Sequence, residues 1–275
     1  MGTVALILII ANFAFSYFGL TKISFFEKYK FEVDKILINK EYYRLITSGF
    51  LHVSWVHLIF NMMSLYAFSG LLEFEIGWLN FTLIYFASLI GGDLLALFVH
   101  RNHGDYSAVG ASGAVCGIIF ASIALFPGMG VGFFGLPLSI PSWLYGIAFV
   151  AISIYGIKSA KSNIGHEAHL GGALVGMLVA LALHPYALLE NYLTILIISI
   201  PTIAFIVIIL LKPHVLLINT NFFRKQPKNY TIDHKYNEKK LNKQQELDRL
   251  LDKISSKGID SLSSKEKEKL KEYSK

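Results

Sequence analysis

The sequence contains a single cysteine, Cys116, and few charged residues before its last quarter. One cysteine excludes an internal disulfide and a zinc site built on several thiolates. Charged residues make up 16% of the chain and hydrophobic ones 54%, and 16 of the 25 Lys and Arg residues follow residue 211. The composition therefore excludes an ordinary soluble domain and indicates a membrane protein.

The excess of positive charge belongs to the C-terminal tail, residues 212–275. There the 16 cations alternate with nine acids, and no aromatic stacking platform or nucleic-acid-binding motif accompanies them. We therefore expect no nucleic-acid partner. At the other end, residues 4–20 lack a preceding cationic region and a clear cleavage site, so we interpret them as a retained membrane span and not as a secretory signal.

Seven segments are apolar enough to cross a bilayer. They are residues 4–20, 55–72, 79–99, 111–126, 142–157, 168–183 and 188–211. The fourth to sixth are short and rich in small residues, which is typical of helices inside a bundle, whereas the seventh is long and Ile/Leu-rich and is expected at the lipid-facing periphery. We predict an all-α polytopic membrane protein: a six-helix core (1–187), an additional transmembrane helix (188–211) and a polar, charged, helical tail (212–275).

Two polar regions flank these segments. The connection 21–54 combines aromatic and charged residues and is expected to lie, partly helical, at the membrane interface. In the tail, Ser263 and Glu266 form a predicted capping box for a last short helix. Four apolar residues before it fall at helical spacing and Gly258 is a natural stop; the four are Leu247, Leu250, Leu251 and Ile254. Two interpretations of the tail stay open, a solvated appendage and a module that docks an unknown partner.

Polar residues at membrane depth are candidates for function because they are costly there. They fall in three clusters at the starts of spans two, four and six: His52, His57 and Asn61; Gly110, Ser112 and Gly113; and His169 with Gly172 and Gly176. Alternate helices run in the same direction, so these three starts open on one face of the membrane. The pattern predicts that Ser112, His169, His57 and Asn61 converge.

A serine beside an imidazole is the minimal pair of nucleophile and general base. His57, Asn61 and the backbone N–H of Ser112 are donor types that stabilise a tetrahedral oxyanion. No third carboxylate is evident, which favours a dyad. Structural alternatives stand beside this hypothesis: Ser112 as a helix-packing serine, His169 as a helix-end histidine, and His57 with Asn61 as a structural polar pair. Because Ala114 replaces the second glycine of the Gly-x-Ser-x-Gly elbow, a soluble α/β-hydrolase is excluded.

The combined motifs resemble those of the rhomboid family of intramembrane serine proteases. The matching runs are His52-x4-His57-x3-Asn61, Gly110-Ala-Ser112-Gly113 and Ala168-His169-x2-Gly172-x3-Gly176, in that order. Tyr43-Arg44 resembles the family's aromatic-Arg pair, and Glu73-x3-Gly77 resembles its loop-ordering glutamate. The resemblance covers about residues 4–183, and the seventh helix is similar to that of members with an extra C-terminal span.

The resemblance implies Ser112 as nucleophile, His169 as general base and then acid, and His57, Asn61 and the Ser112 N–H as oxyanion donors. It implies single-span membrane proteins as substrates, cut near the bilayer surface after a small residue, with no cofactor and no metal. The competing hypothesis is an inactive protein of the same fold that binds membrane clients. Some members place an aromatic four residues after the serine to stack on the histidine; here that position is Cys116, so another group must orient the imidazole.

Two questions stay open from the sequence. Asp93, in the outer third of span three, is either a hydrogen-bonded structural residue or a group near the catalytic mouth that tunes His169. If all seven segments cross the membrane, all 25 Lys and Arg residues lie on the face where Ser112 opens. The positive-inside rule assigns that face to the cytoplasm. The family resemblance implies the opposite orientation.

Overall fold

The computed structural model describes residues 2–132, 139–159 and 165–211, together with Ile254, Ser263, Glu266 and Leu270. The chain forms two compact units, Met1–Asn219 and Thr220–Lys275. Within its described residues the first unit contains ten α-helices. They are α1 Thr3–Thr21, α2 Ile23–Tyr29, α3 Val33–Leu37, α4 Arg44–Thr47, α5 Trp55–His100, α6 Ser112–Leu125, α7 Ser142–Ser159, α8 His166–Leu183, α9 Ala187–Glu190 and α10 Tyr192–Leu211.

Helices α1, α5, α8 and α10 are each long and apolar enough to cross a membrane. The 46 residues of α5 would extend about 69 Å at 1.5 Å per residue, which is twice the hydrocarbon thickness of a bilayer. The helix is kinked at Gly77, whose φ is +78°, and both its ends lie beside the segment that precedes α6. The backbone at Gly77 is not helical, so α5 comprises two helices, the predicted second and third spans, and the chain folds back between them at a glycine that tolerates positive φ.

Helices α6 and α7 are the shorter apolar helices predicted for spans four and five. The predicted all-α polytopic fold is thus confirmed. The seventh span differs from its prediction, because residues 188–211 are interrupted and α10 begins at Tyr192. The side-chain amide of Asn191 donates hydrogen bonds to the carbonyl oxygens of Ala124 and Leu125, at 3.0 and 3.1 Å, so the chain turns there to close the C-terminal end of α6.

Helix α6 lies at the centre of the bundle, almost wholly buried between α5 and α8. Glycines make this possible. A Cβ added to Gly172 would collide with the backbone carbonyl of Gly113, and one added to Gly176 would collide with the backbone of Gly117. Helices α6 and α8 therefore touch at their backbones, as the small-residue pattern predicts.

The connection 21–54 is folded around a buried guanidinium. Arg44 donates to the carbonyl oxygens of Glu27 and Lys30, at 2.9 and 2.7 Å, and to the carboxylate of Glu41 at 2.6 Å. The loop also supplies a two-residue strand, β1 (Phe31–Glu32), which pairs antiparallel with β2 (Ser107–Ala108) just before α6. A second pair joins β3 (Gly130–Gly132) to β4 (Ser139–Pro141). These strands were not predicted, because two or three residues carry no recognisable periodicity.

Glu73 lies at the other end of the bundle from the connection 21–54. Its carboxylate accepts hydrogen bonds from the backbone N–H groups of Val4 and Ala5, at 2.8 and 2.9 Å. These are orphan donors of the first turn of α1, where a negative charge is favourable. In this structure Glu73 therefore fastens the start of α1 to α5, which differs from the loop-ordering role that the resemblance implied.

The second unit is described at four positions. Ser263 Oγ accepts a hydrogen bond from the Glu266 N–H at 3.3 Å, and the Glu266 carboxylate accepts one from the Ser263 N–H at 2.7 Å. The predicted capping box is therefore present. Ile254, Glu266 and Leu270 are helical, whereas Leu247, Leu250, Leu251 and Gly258 lie outside the described residues.

The side of the membrane on which each connection lies follows from the number of spans before it, and this can be measured. In a Cys116→Ser background, single cysteines at His103 and Gly130 should react oppositely with an impermeant maleimide on intact cells, because these residues follow α5 and α6 at opposite ends of the bundle. A cysteine at Ser255 should react like the one at His103. If it instead matches Gly130, segment 188–211 does not cross the membrane. The same labelling assigns the absolute orientation.

Candidate active site

Ser112 and His169 meet at one end of the bundle. Ser112 is the first residue of α6, and His169 lies in the first turn of α8. His169 Nε2 is 2.6 Å from Ser112 Oγ, within hydrogen-bond distance. The contact between Gly113 and Gly172 brings the two helix starts close enough for this pair to form. The structure thus brings together the two side chains that helix direction predicted to converge.

Gly110 separates Ser112 from His57. Its φ is +139°, a backbone conformation that L side chains rarely adopt. A Cβ at this position would lie 2.8 Å from Cε1 of His57 and 3.5 Å from Oγ of Ser112. The Gly110 N–H donates to the carbonyl oxygen of Ser48 at 3.0 Å. Both the conformation and the confined space therefore require glycine here.

His57 and Asn61 line the same cleft as Ser112 from the first turns of α5. Ser54 caps this helix, accepting a hydrogen bond from the His57 backbone N–H at 3.2 Å. The Asn61 amide donates to the His57 carbonyl oxygen at 3.1 Å, which uses one of its two N–H groups. Nδ1 of His57 is buried and has no hydrogen-bond partner among the residues that the structure describes. The Ser112 N–H belongs to a helix N-terminus, where intrahelical acceptors are missing.

His52 ties the segment before Ser112 to α1. Its Nδ1 is 2.8 Å from Ser16 Oγ, and the Ser16 hydroxyl donates its one proton to the Phe50 carbonyl oxygen at 3.0 Å, so Oγ accepts from Nδ1. Its Nε2 accepts a long hydrogen bond, 3.5 Å, from the backbone N–H of Ala111. Together these contacts require a neutral imidazole protonated on Nδ1. Burial lowers the pKa of His52 to about 3, which keeps the ring in that neutral form.

An aromatic ring reaches His169 from a different helix than the family pattern implies. Cys116 is buried one turn after Ser112, as expected for a small packing residue. The ring of Phe149, on α7, lies 6.3 Å from the His169 ring, centroid to centroid, at an interplanar angle of 38°. Phe149 was not predicted as a neighbour of His169, because nothing in the sequence spacing indicates which helix α7 would face.

Ser112 and His169 line a cleft of about 960 Å³ between α5, α6, α7 and α8. One part of the lining is apolar and comprises Phe60, Val115, Ile119, Tyr145 and Phe149; the other is polar and comprises Asp93, His100, Tyr106 and Glu167. The Asp93 carboxylate accepts a hydrogen bond from Ser48 Oγ at 3.0 Å. Asp93 is thus hydrogen-bonded, as the structural interpretation expected, and it also lines the cleft. The carbonyl oxygen of its partner Ser48 accepts the hydrogen bond from the Gly110 N–H.

The chemistry available here is that of a hydroxyl and a base. Within residues 2–132, 139–159 and 165–211, no group of three His, Cys, Asp or Glu side chains is arranged to hold a metal ion. The elements present are a serine bonded to an imidazole, donors on the opposite wall and a partly apolar cleft. Such a constellation suits nucleophilic attack on a carbonyl group.

Comparison with known families identifies two matching regions in the chain. A family model described as the Rhomboid domain matches residues 39–186, more than half of the chain. This range contains the dyad, both candidate oxyanion side chains and the glycines of the α6–α8 contact. A second model, described as a family of unknown function (DUF6576), matches residues 230–275 of the tail.

Individual relatives agree with the family model. The chain is 31% identical over 150 residues to Rhomboid protein 1, mitochondrial, of Saccharomyces cerevisiae, covering 52% of this chain and 43% of the relative. It is 32% identical over 148 residues to RHOMBOID-like protein 12, mitochondrial, of Arabidopsis thaliana, covering 48% and 43%. Identity to Rhomboid protease GluP of Bacillus subtilis is 31% over 150 residues, covering 54% and 28%. The chain spans less than half the length of each of these three relatives. It belongs to the rhomboid family of integral, multi-pass membrane proteins.

Proposed function

We propose that the protein is an intramembrane serine endopeptidase in which Ser112 and His169 form a catalytic dyad. The observation that carries this proposal is the 2.6 Å contact between Ser112 Oγ and His169 Nε2 at the starts of two apolar, tightly packed helices. A serine hydroxyl becomes a nucleophile when a neighbouring base takes its proton. The relative named as a protease, Rhomboid protease GluP, supports the same reaction class.

In the proposed reaction His169 accepts the Ser112 proton while Oγ attacks the carbonyl carbon of the scissile peptide. The oxyanion that forms is stabilised by the Ser112 N–H together with His57 and Asn61. His169 then protonates the leaving amine, which breaks the C–N bond and leaves an acyl-serine. Water, deprotonated by His169, attacks this ester and releases the carboxylate product. No group other than these side chains and water is required.

The proposed substrates are single-span membrane proteins that enter from the lipid bilayer. A peptide bond inside a helix has its carbonyl oxygen engaged by the N–H four residues later, so the segment must unwind before Ser112 can reach it. Helix-weak sequence near the bilayer surface would therefore be preferred, with a small residue before the scissile bond. In this proposal residues 1–187 form the enzyme core, Tyr192–Leu211 within segment 188–211 an additional span, and 212–275 a tail with its own role.

The competing hypothesis, a client-binding protein without activity, requires neither a nucleophile nor a base. The presence of Ser112 and His169 within hydrogen-bond distance favours the enzyme. The two functions separate in one assay. The purified protein is reconstituted in liposomes with single-span reporters that carry helix-weak segments, and cleavage is followed by gel electrophoresis and mass spectrometry. We expect cleavage by the wild type and none by Ser112→Ala; binding without cleavage by either protein supports the competing hypothesis.

The oxyanion donors make a separate prediction. His57→Ala or Asn61→Ala should lower turnover by about 10²-fold, because one preorganised donor typically contributes that much. Asn12→Ala is the matched control, since Asn12 makes the same bond to the carbonyl four residues earlier, on α1 and away from Ser112. Equal losses of thermal stability in all three variants, with activity following only the folded fraction, would give His57 and Asn61 a structural role.

A further inference from the structure

A buried carboxylate close to the dyad is used by none of the steps above. Glu167 is 6% exposed and lies two residues before His169 in the first turn of α8. Its Oε1 accepts hydrogen bonds from the Tyr106 hydroxyl at 2.7 Å and from His100 Nε2 at 2.8 Å. The rings of His100 and Tyr106 are stacked, 3.6 Å apart and within 6° of parallel. These three residues, the Glu167 cluster, were not identified in the sequence.

The Glu167 cluster joins the three segments that meet at the dyad. His100 ends α5, Tyr106 lies in the connection that leads to Ser112, and Glu167 begins α8. Tyr106 is further fixed by its carbonyl oxygen, which accepts a hydrogen bond from the Val33 N–H at 3.2 Å. Two residues later along the connection, Ala108 belongs to the β1–β2 pair. The cluster is therefore a cross-link between the chain that delivers Ser112 and the helix that delivers His169.

Such a cross-link matters because neither side chain is held in the middle of a helix. Ser112 follows a connection of eleven residues, and His169 lies in a first turn, where helix ends fray. A misplacement of about 1 Å between reacting groups can cost 10²-fold in rate. A buried carboxylate is stable only when its acceptors are satisfied, and charge-assisted hydrogen bonds to it are strong and directional.

We propose that Glu167 is a positioning residue: through Tyr106 and His100 it holds the first turn of α8 against the connection to α6 and thereby sets the contact between His169 and Ser112. This inference rests on the proposed protease function. Glu167 itself touches no reacting atom. Its effect is on the rate of the chemical step and not on substrate binding.

The test measures the rate of active-site labelling by a fluorophosphonate, and kcat and KM for a cleaved reporter. Glu167→Ala should lower the labelling rate and kcat together by about 10- to 100-fold, with KM unchanged. This is the loss expected when His169 moves by about 1 Å or less relative to Ser112. Glu167→Gln keeps an acceptor oxygen for Tyr106 and should recover most of the rate. Tyr106→Phe keeps the stacked ring but removes the hydroxyl that donates to Glu167. The double variant Glu167→Ala/Tyr106→Phe should be no slower than Glu167→Ala, because Glu167 and Tyr106 act as one unit.

Asn191→Ala is the control for stability alone. It removes two hydrogen bonds at the opposite end of α6, so it should lower the thermal midpoint without changing the labelling rate of folded protein. A Glu167→Ala variant that labels as fast as the wild type overturns the positioning role and leaves the protease function standing. If Glu167→Ala does not fold, the double variant Glu167→Gln/Tyr106→Phe decides. A wild-type labelling rate in this double variant and in both of its single variants overturns the positioning role. A slow double variant supports the positioning role. A wild type that labels no better than Ser112→Ala overturns the proposed function and this inference with it.

Discussion

Gly172→Val is expected to destabilise the bundle strongly by forcing α6 and α8 apart. A Cβ at Gly172 would collide with the carbonyl oxygen of Gly113 and lie 3.0 Å from its Cα, both backbone atoms that cannot move aside as a side chain can. Valine adds two further carbons to that clash. Overpacking typically costs about 1–3 kcal/mol, and a clash with backbone atoms places this substitution at the upper end of that range. We expect a large loss of monodisperse protein in gel filtration and a clearly lower thermal midpoint.

Gly128→Val is the matched control for this substitution. A Cβ at Gly128 meets no other atom within 4 Å, so the same chemical change should leave yield and thermal midpoint close to those of the wild type. Should Gly172→Val also behave like the wild type, α6 and α8 do not touch at their backbones. The geometry that places His169 beside Ser112 would then be wrong.

Removal of either residue of the proposed dyad is expected to lower the rate of reporter cleavage by about 10³-fold or more, because a nucleophile and its base act as a unit. Ser112→Ala removes the attacking oxygen, and His169→Ala leaves a serine without a base. Since both disable the same step, the double variant should be no slower than either single variant. The comparison uses kcat for a reporter cleaved in liposomes.

His184→Ala is the control for His169→Ala, because His184 lies at the opposite end of α8, where it caps the helix. Its removal should leave kcat unchanged. Multiplicative losses in the double variant Ser112→Ala/His169→Ala would show that the two side chains act independently, which contradicts a dyad.

Helix direction and the positions of polar residues were sufficient to predict that Ser112 and His169 lie close together. Ser112 and His169 start helices of the same sense, so they open at the same depth whatever the exact packing. The small residues Gly113, Gly172 and Gly176 further predicted close helix contact, which the structure shows. These inferences depend on the spacing of residues along each helix and on the number of spans that precede it, and both can be read from the sequence.

What the sequence did not predict depends on which side chains meet across the bundle. Phe149 reaches His169 from α7 and Glu167 reaches Tyr106 from α8, and no spacing rule relates these positions. The break before α10 likewise follows from Asn191 bonding to carbonyl groups more than sixty residues away. The short strand pairs and the placement of Glu73 at the start of α1 are tertiary contacts of the same kind.

The most direct test of the protease proposal is covalent labelling of the purified, reconstituted protein by a fluorophosphonate, with the modified residue located by mass spectrometry. A fluorophosphonate reacts with a serine only when a base activates it. Ser122→Ala is the matched control, because Ser122 is a buried serine of the same helix whose hydroxyl bonds to backbone carbonyl oxygens. We predict stoichiometric labelling on Ser112 in the wild type and in Ser122→Ala, and none in Ser112→Ala or His169→Ala. Labelling that is equally weak in all four proteins would contradict the account.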